Sequence, residues 1–71
     1  MTGDAAASSA GGPVLAVLAD LRYWSDRGVR IVAVEPGADD GVRVGVTDHA
    51  ATAERALQGH YPFPVTCWPA T

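Results

Sequence analysis

The hydrophobic residues in the middle of the chain alternate with polar or small residues, which indicates β-structure. Segment 42–47 alternates valine with arginine, glycine and threonine, so its valines share one face of a strand. The preceding run, residues 31–34, is apolar on both faces, which is typical of a strand covered on two sides. Between them, residues 36–41 supply the proline, aspartate and glycine that form turns. The pattern predicts a β-hairpin over residues 29–48.

Two lengths of the connecting loop are possible, and each gives a different register for this hairpin. A five-residue loop places Val34 opposite Val42, whereas a four-residue loop places Ile31 opposite Val46. A slip of one residue exchanges the two faces. The sequence therefore does not decide which face of strand 29–35 points inward. In either register, two aliphatic residues of the first strand remain on the far face of the sheet.

One helix is predicted on each side of the hairpin. Apolar residues recur at helical spacing between Pro13 and Gly28, which predicts a first helix over residues 13–27. A second helix follows Asp48, a good N-cap, and stops at Gly59. The apolar stripe of the first helix, which is expected to cover the sheet, consists of Val14, Val17, Leu18, Leu21 and Trp24.

The C-terminal part of the chain predicts a third, short strand. Pro62 and Pro64 prevent the second helix from continuing. Residues 65–68 then form an extended run that ends at Pro69. Because prolines in sheets belong at edges or strand starts, this strand is expected at an edge.

These elements predict an α+β fold, a two-layer sandwich in the order αββαβ. If the doubly apolar first strand is central, the three-stranded sheet is antiparallel with strand order 2-1-3, and both helices lie on one of its faces. The opposite face is then left without a cover. Residues 1–12 are rich in Ala, Ser and Gly and have little to bury. They predict a flexible tail, followed by a single domain over residues 13–71.

Composition and charge exclude several classes of function. The net charge is −3, and the five basic residues are all arginines, scattered along the chain, which argues against a nucleic-acid surface. The apolar run 14–19 is too short to span a bilayer, and no basic segment precedes it as in a signal peptide. A cytoplasmic protein that binds neither nucleic acid nor membrane is therefore expected.

The residues that could carry chemistry do not form a recognisable set. His49, His60 and Cys67 lack the local spacing of a zinc site. Asp39 and Asp40 are adjacent carboxylates in a turn, without the spacing of a calcium loop. Cys67 as a nucleophile would need a base such as His60, and the simpler interpretation is a small inward-facing strand residue. We expect no metal, no cofactor and no enzymatic activity.

The uncovered sheet face suggests an interaction surface, since exposed apolar patches on small proteins mark interfaces. Aromatic residues near the C terminus would add the side chains that are enriched at binding hot spots. We therefore expect a protein-interaction module, a homodimer or the binder of a protein partner, acting through that face or the edge of the third strand. In an alternative arrangement, Phe63 and Trp68 fold under and close the core. The predicted partner-binding residues are Trp68, Thr66, Phe63, Tyr61, Ile31 and Val32.

Two other functions are also compatible with the sequence. The helix–hairpin–helix–strand pattern from Val14 to Trp68 resembles the small α+β prodomains of secreted bacterial serine proteases. That resemblance implies a protease inhibitor or folding assistant whose tail, residues 69–71, enters a cleft. The other is binding of a small molecule in a dimer cleft. The residues considered for that cleft are Tyr23, His60 and Arg43.

Overall fold

The computed structural model of the chain describes residues 12–70 and shows a small α+β domain, as predicted. Most of the predicted tail, residues 1–11, lies outside the described part, and Gly12 is helical. A 3₁₀ turn, Ala38–Asp40, lies within the hairpin. The helices are α1, described over residues 12–19, α2 (Leu21–Asp26) and α3 (Ala50–His60), and the strands are β1 (Ile31–Pro36), β2 (Val42–Val46) and β3 (Val65–Pro69).

The three strands form a mixed sheet in the order β1-β2-β3. β1 and β2 are antiparallel, whereas β2 and β3 are parallel. The prediction of a fully antiparallel sheet in the order 2-1-3 is therefore wrong. Helix α3 supplies the crossover that two parallel neighbours require.

β2 is the central strand because it pairs with both β1 and β3, and both of its faces are covered. Its three valines, on the face toward the helices, are at most 1% exposed. On the other face, a Cβ added to Gly45 would lie 2.8 Å from Cζ2 of Trp68, so the indole lies directly over the glycine backbone. β1 lacks such a cover, and its Val32 is 53% exposed. The apolar residues on both faces of segment 31–34 therefore did not identify the central strand.

All three helices pack with the β2 valines in one core, which places the helical layer on a single face of the sheet. Helix α3 contributes one small and one large residue, so it packs close to the strands. The buried hydrophobic residues are Val17, Trp24, Val42, Val44, Val46, Ala53, Leu57, Tyr61 and Val65.

A β-bulge gives the hairpin a register that matches neither prediction in full. Val34 lies opposite Val44, which neither loop length allows. The register then shifts between Ile31 and Ala33, so that Ile31 lies opposite Val46, as the shorter loop predicts. Ile31 and Val34 therefore share the face toward the helices, although they are three residues apart.

The conformation of the turn explains why Val34 lies opposite Val44 and not opposite Val42. Pro36 belongs to β1, so the connection comprises residues 37–41. Within it, Asp39 and Asp40 have positive φ angles of 56° and 58°. Aspartate tolerates this left-handed conformation better than most residues, and two such residues in succession reverse the chain in a way that counting loop residues does not anticipate.

The predicted first helix is interrupted at Asp20, whose backbone angles are φ −106° and ψ 16°. The Asp20 carboxylate accepts a hydrogen bond of 2.7 Å from the hydroxyl of Tyr61. Trp24 is buried as predicted, but Leu18 and Leu21 remain 43% and 38% exposed. Their assignment to the sheet-facing stripe is therefore wrong, because the residues that α1 and α2 bury in the core are Val17 and Trp24.

Both predicted ends of the second helix are also displaced. The N-cap is His49, in the left-handed region with φ 54°, and not Asp48. At the other end the helix continues through Gly59 to His60. The His60 ring stacks against Tyr23 with a centroid distance of 5.0 Å, and this packing offsets the low helix propensity of glycine, about 1 kcal/mol.

The contact between Trp68 and Gly45 can be tested by Gly45→Ala. The new methyl group would displace the indole, and overpacking of this kind costs about 1–3 kcal/mol of unfolding free energy. Urea denaturation should show this loss, with a red shift of tryptophan emission in the folded state. Gly59→Ala is the matched control, since its Cβ meets nothing within 4 Å, and it should raise stability by about 0.5–1 kcal/mol. A Gly45→Ala variant as stable as the parent would contradict this packing.

Candidate functional site

The face of the sheet opposite the helices, called the far face below, is the surface on which the sequence placed a partner. Strand pairing assigns six residues to it, because Gly45 lies between Ala33 and Trp68, and Arg43 lies between Glu35 and Thr66. Thr66 is exposed, whereas Trp68 is half-buried on Gly45. The far face residues are Ala33, Glu35, Arg43, Gly45, Thr66 and Trp68.

The two charges beside the indole on the far face neutralise each other. Arg43 Nη1 donates to Glu35 Oε1 over 2.8 Å, and both side chains are about half exposed. The Arg43 guanidinium also lies 5.1 Å from the centre of the Trp68 ring, within the range of a cation–π contact. The surface around the indole is therefore small, partly apolar and without net charge.

The structure separates the six predicted partner-binding residues. Thr66 and Trp68 lie together on the far face. Val32 is exposed on the outer edge of β1, while its neighbour Ile31 is half-buried against the core. No single partner surface contains all six.

Tyr61 and Phe63 point toward the core and not toward a partner. Tyr61 is 9% exposed, and its hydroxyl accepts a hydrogen bond of 2.9 Å from Trp24 Nε1 and donates one to Asp20. Phe63 stacks on the Tyr61 ring with a centroid distance of 5.0 Å. In the alternative arrangement, both Phe63 and Trp68 fold under and close the core. The structure shows this for Phe63, whereas the Trp68 indole lies on the far face.

The residues considered for a small-molecule cleft do not converge. Tyr23 and His60 are in contact, within an aromatic cluster that also includes Trp24 and Tyr61. Arg43 lies on the far face, with the sheet between it and this cluster. The nearest carboxylate to His60 is that of Asp20, at 4.0 Å from His60 Nε2.

Cys67 lies in a setting that suppresses thiolate formation. Its side chain packs against the core beside the residues of α3. Burial, assisted by the charge of Glu54, raises the pKa of the Cys67 thiol to about 11. Among residues 12–70, no three His, Cys, Asp or Glu side chains are grouped as metal ligands would be. None of the helices in this range is long and apolar enough to cross a bilayer.

The backbone of β3 alternates between its neighbour and its outer edge. The Pro64 carbonyl accepts a hydrogen bond from β2, and the Ala70 N–H donates one to β2. Because successive residues of a strand point in opposite directions within the sheet, the backbone groups of Val65, Cys67 and Pro69 face the outer edge.

Side chains of α3 occupy this outer edge of β3. Val65 N–H donates to Gln58 Oε1, and Cys67 N–H donates to Glu54 Oε1, both over 2.8 Å. The third outward position, Pro69, has no N–H to donate. A strand added here would have no free donor within β3, so the geometry does not favour the predicted use of this edge.

The outer edge of β1 is different, since no described side chain forms a hydrogen bond with the backbone of residues 31–36. The bulge bends the strand near Val32, whose side chain projects into solvent. Of the two edges of the sheet, β1 is the one whose polar groups remain available to another chain.

A second apolar surface, which the sequence reasoning missed, lies on the helical layer. Leu15, Leu18 and Leu21, called the leucine row below, are 58%, 43% and 38% exposed. Their spacing of three residues was visible in the sequence, but the same spacing also fitted a buried stripe. The closure of the β3 edge was missed as well, although Glu54 and Gln58 are four residues apart and thus on one side of a helix.

Comparison with protein-family models, with curated proteins and with solved structures finds no significant match.

The role of Tyr61 can be tested by its ionisation. Burial is the main cause that raises the pKa of Tyr61 from 10.0 to about 12, assisted by the adjacent Asp20 and opposed by the Trp24 hydrogen bond. The folded state thus favours the neutral phenol. This contribution to stability is complete below pH 10, the unfolded value, and is lost as the pH rises toward 12. Absorbance titration should show one tyrosine ionising late.

Tyr61→Phe should remove this alkaline loss and lower stability at neutral pH by about 1–3 kcal/mol, because Trp24 Nε1 loses its acceptor. Urea denaturation between neutral and alkaline pH measures both effects. Tyr23→Phe is the control and should retain the alkaline loss. Equal alkaline loss in Tyr61→Phe and the parent would show that another group is responsible.

The burial of Cys67 predicts slow alkylation. With a pKa of about 11 instead of 9.0, the thiolate fraction near pH 8 falls by about 100-fold. Mass spectrometry after iodoacetamide treatment should therefore show little modification in native buffer and full modification in urea. Glu54→Gln, which keeps an acceptor for the Cys67 N–H, should accelerate the reaction only in part. Rapid alkylation of the folded parent would be inconsistent with this setting.

Proposed function

We propose that the protein is a small, non-enzymatic interaction module that binds a protein surface through the far face of its sheet. The observation that carries this proposal is the lack of any described helix or strand over that face, where the Trp68 indole and the Ala70 side chain lie over Gly45 of the central strand. The indole packs on Gly45, has the Arg43 guanidinium over its ring, and remains partly exposed to a partner.

The chemistry of the far face indicates the kind of partner. Arg43 is already paired with Glu35 and lies near the indole, so this pair leaves no net charge beside the indole. Trp68, Thr66 and Ala33 offer aromatic and small aliphatic contacts. A complementary surface would be apolar, of low net charge, and part of another folded protein, because tryptophan and arginine dominate the energetics of protein interfaces.

The same arrangement supports the proposal that the protein is not an enzyme. The ionisable groups considered for catalysis lie apart, with Arg43 on the far face and His60 among aromatic rings of the helical layer. The Cys67 thiol is held in its neutral form by burial. No pair of them has the geometry of a nucleophile and its base.

The resemblance to protease prodomains gains no support from the C-terminal residues. Ala70 N–H donates to Val46 O over 2.7 Å, which holds the segment against β2. Thr71 lies outside the described residues. A tail that inserts into a cleft would have to leave the sheet, so we do not propose an inhibitory function.

Photocrosslinking in cells tests the proposed function without a known partner. A benzophenone amino acid placed at Thr66, on the far face, should yield an adduct with a protein whose mass can be measured. The control site is Thr52, which is exposed on α3 and should give no such adduct. Absence of an adduct at position 66, or the same adducts at both positions, would refute the proposal.

The contribution of the indole is tested in the same assay. Adding Trp68→Ala to the probe-carrying chain should abolish the adduct. Trp68→Phe should retain it in part, because an aromatic ring remains over Gly45. Circular dichroism of both purified variants establishes that they are folded. A folded Trp68→Ala variant that crosslinks as efficiently as the parent would exclude this surface.

A further inference from the structure

We infer that two copies of this chain associate through the outer edges of their β1 strands, which pair antiparallel to form one continuous six-stranded sheet. This inference goes beyond the proposed function, since it identifies a second copy of the chain as a partner at a different surface. It concerns an edge of the sheet and leaves the far face of each copy accessible to other proteins.

The first argument is the difference between the two edges. On β3, Gln58 and Glu54 occupy the outward N–H groups of Val65 and Cys67. On β1, no described side chain has that role. An open edge is a template for pairing with another strand, and an antiparallel pair of identical strands satisfies both copies equally.

The β-bulge supplies the second argument, because it brings two opposite charges to the same face. Thr47 N–H donates to Arg30 O, so Arg30 continues the pairing of β1 with β2 beyond Ile31. Thr47 lies on the same side of its strand as Gly45, by alternation. Arg30 therefore belongs to the far face together with Glu35, five residues later, which an unbroken strand would not allow.

Antiparallel pairing then places complementary residues opposite each other. With the two-fold axis between Val32 and Ala33, Arg30 lies opposite Glu35 of the second copy, and Ile31 lies opposite Val34 of the second copy. The first pair is on the far face and the second is on the helical face, so the register is consistent on both sides. Because of the two-fold symmetry, Glu35 of the first copy also lies opposite Arg30 of the second copy.

The side chains involved are available for this contact. Arg30 is exposed and forms no ion pair with another described residue. Glu35 uses Oε1 for Arg43, and its second oxygen can accept from a further guanidinium. Val32 is 53% exposed, and Ile31 and Val34 are half-buried, so pairing would remove apolar surface from water. A domain of this size gains proportionally more from such burial than a larger one.

The closure of β3 limits the assembly to two chains. In the paired sheet, the two outer edges are both β3 strands, whose outward donors are occupied by α3 or replaced by proline. A two-fold contact is closed, whereas a second open edge would allow the sheet to extend without limit. A dimer, and no larger species, is the expected state.

Sedimentation velocity at micromolar concentration tests the edge. The parent should sediment with twice the chain mass of 7.3 kDa. Val32→Lys, which places a charge on the exposed edge, should sediment as a monomer with an unchanged circular dichroism spectrum. Leu15→Lys is the matched control on the leucine row, at a similarly exposed position, and should remain dimeric. The reverse result would place the interface on the leucine row and overturn the inference.

The predicted register is tested by exchanging charges. Arg30→Glu and Glu35→Arg each place like charges opposite each other twice in the dimer, which should weaken association about tenfold. An equimolar mixture of the two variants should recover a heterodimer, visible by native mass spectrometry. In that heterodimer, both charge pairs across the β1–β1 interface are again of opposite sign. Arg55→Glu, an exposed control on α3, should have no effect. A mixture as weak as the separate variants would exclude this register.

The outcomes separate this inference from the proposed function. A parent that remains monomeric, or that forms species larger than a dimer, overturns the β1 pairing. If the probe at Thr66 nevertheless forms an adduct with a different protein, the interaction module stands without self-association. If the parent is monomeric and no adduct forms, both proposals fail.

Discussion

The contact between the Trp68 indole and the Gly45 backbone covers the central strand on the face away from the helices. A three-stranded sheet with helices on one face needs some cover for its middle strand on the other face. Here the Trp68 indole, together with the Ala70 side chain, supplies that cover, and the absence of a side chain at position 45 makes room for both. The parallel placement of β3 beside β2, and the crossover through α3, bring the indole to this position.

The secondary structure could largely be predicted from periodicity, because valine alternation and turn residues are local signals. The order of the strands could not. Alternation shows which residues share a face, but it carries no information on which strand lies beside which. The apolar residues on both sides of segment 31–34 suggested a central position, yet one side is taken up by a bulge at which Val32 is exposed. The small residue Gly45 was the better indicator of a strand covered on both faces.

The candidate site was predictable to a similar extent. Thr66 and Trp68 lie on the face that alternation assigned to them, since β3 is short and regular. Tyr61 was misassigned because its environment depends on Trp24 and Asp20, which are 37 and 41 residues away in the chain. A buried hydroxyl needs such partners, and sequence spacing does not show them. The capping of Val65 and Cys67 by α3 likewise depends on the three-dimensional placement of the helix.

The parallel pairing of β2 and β3 also bears on the order in which the domain assembles. The β1–β2 hairpin is closed by a short turn, whereas β3 can join only after the chain of residues 47–64 has brought it back beside β2. Closure of longer loops costs more entropy and slows the formation of nonlocal contacts. Until that step, the second edge of β2, the most buried strand, remains unpaired, and an unpaired edge is a template for aggregation. The domain is thus most vulnerable to aggregation in the interval before β3 docks beside β2.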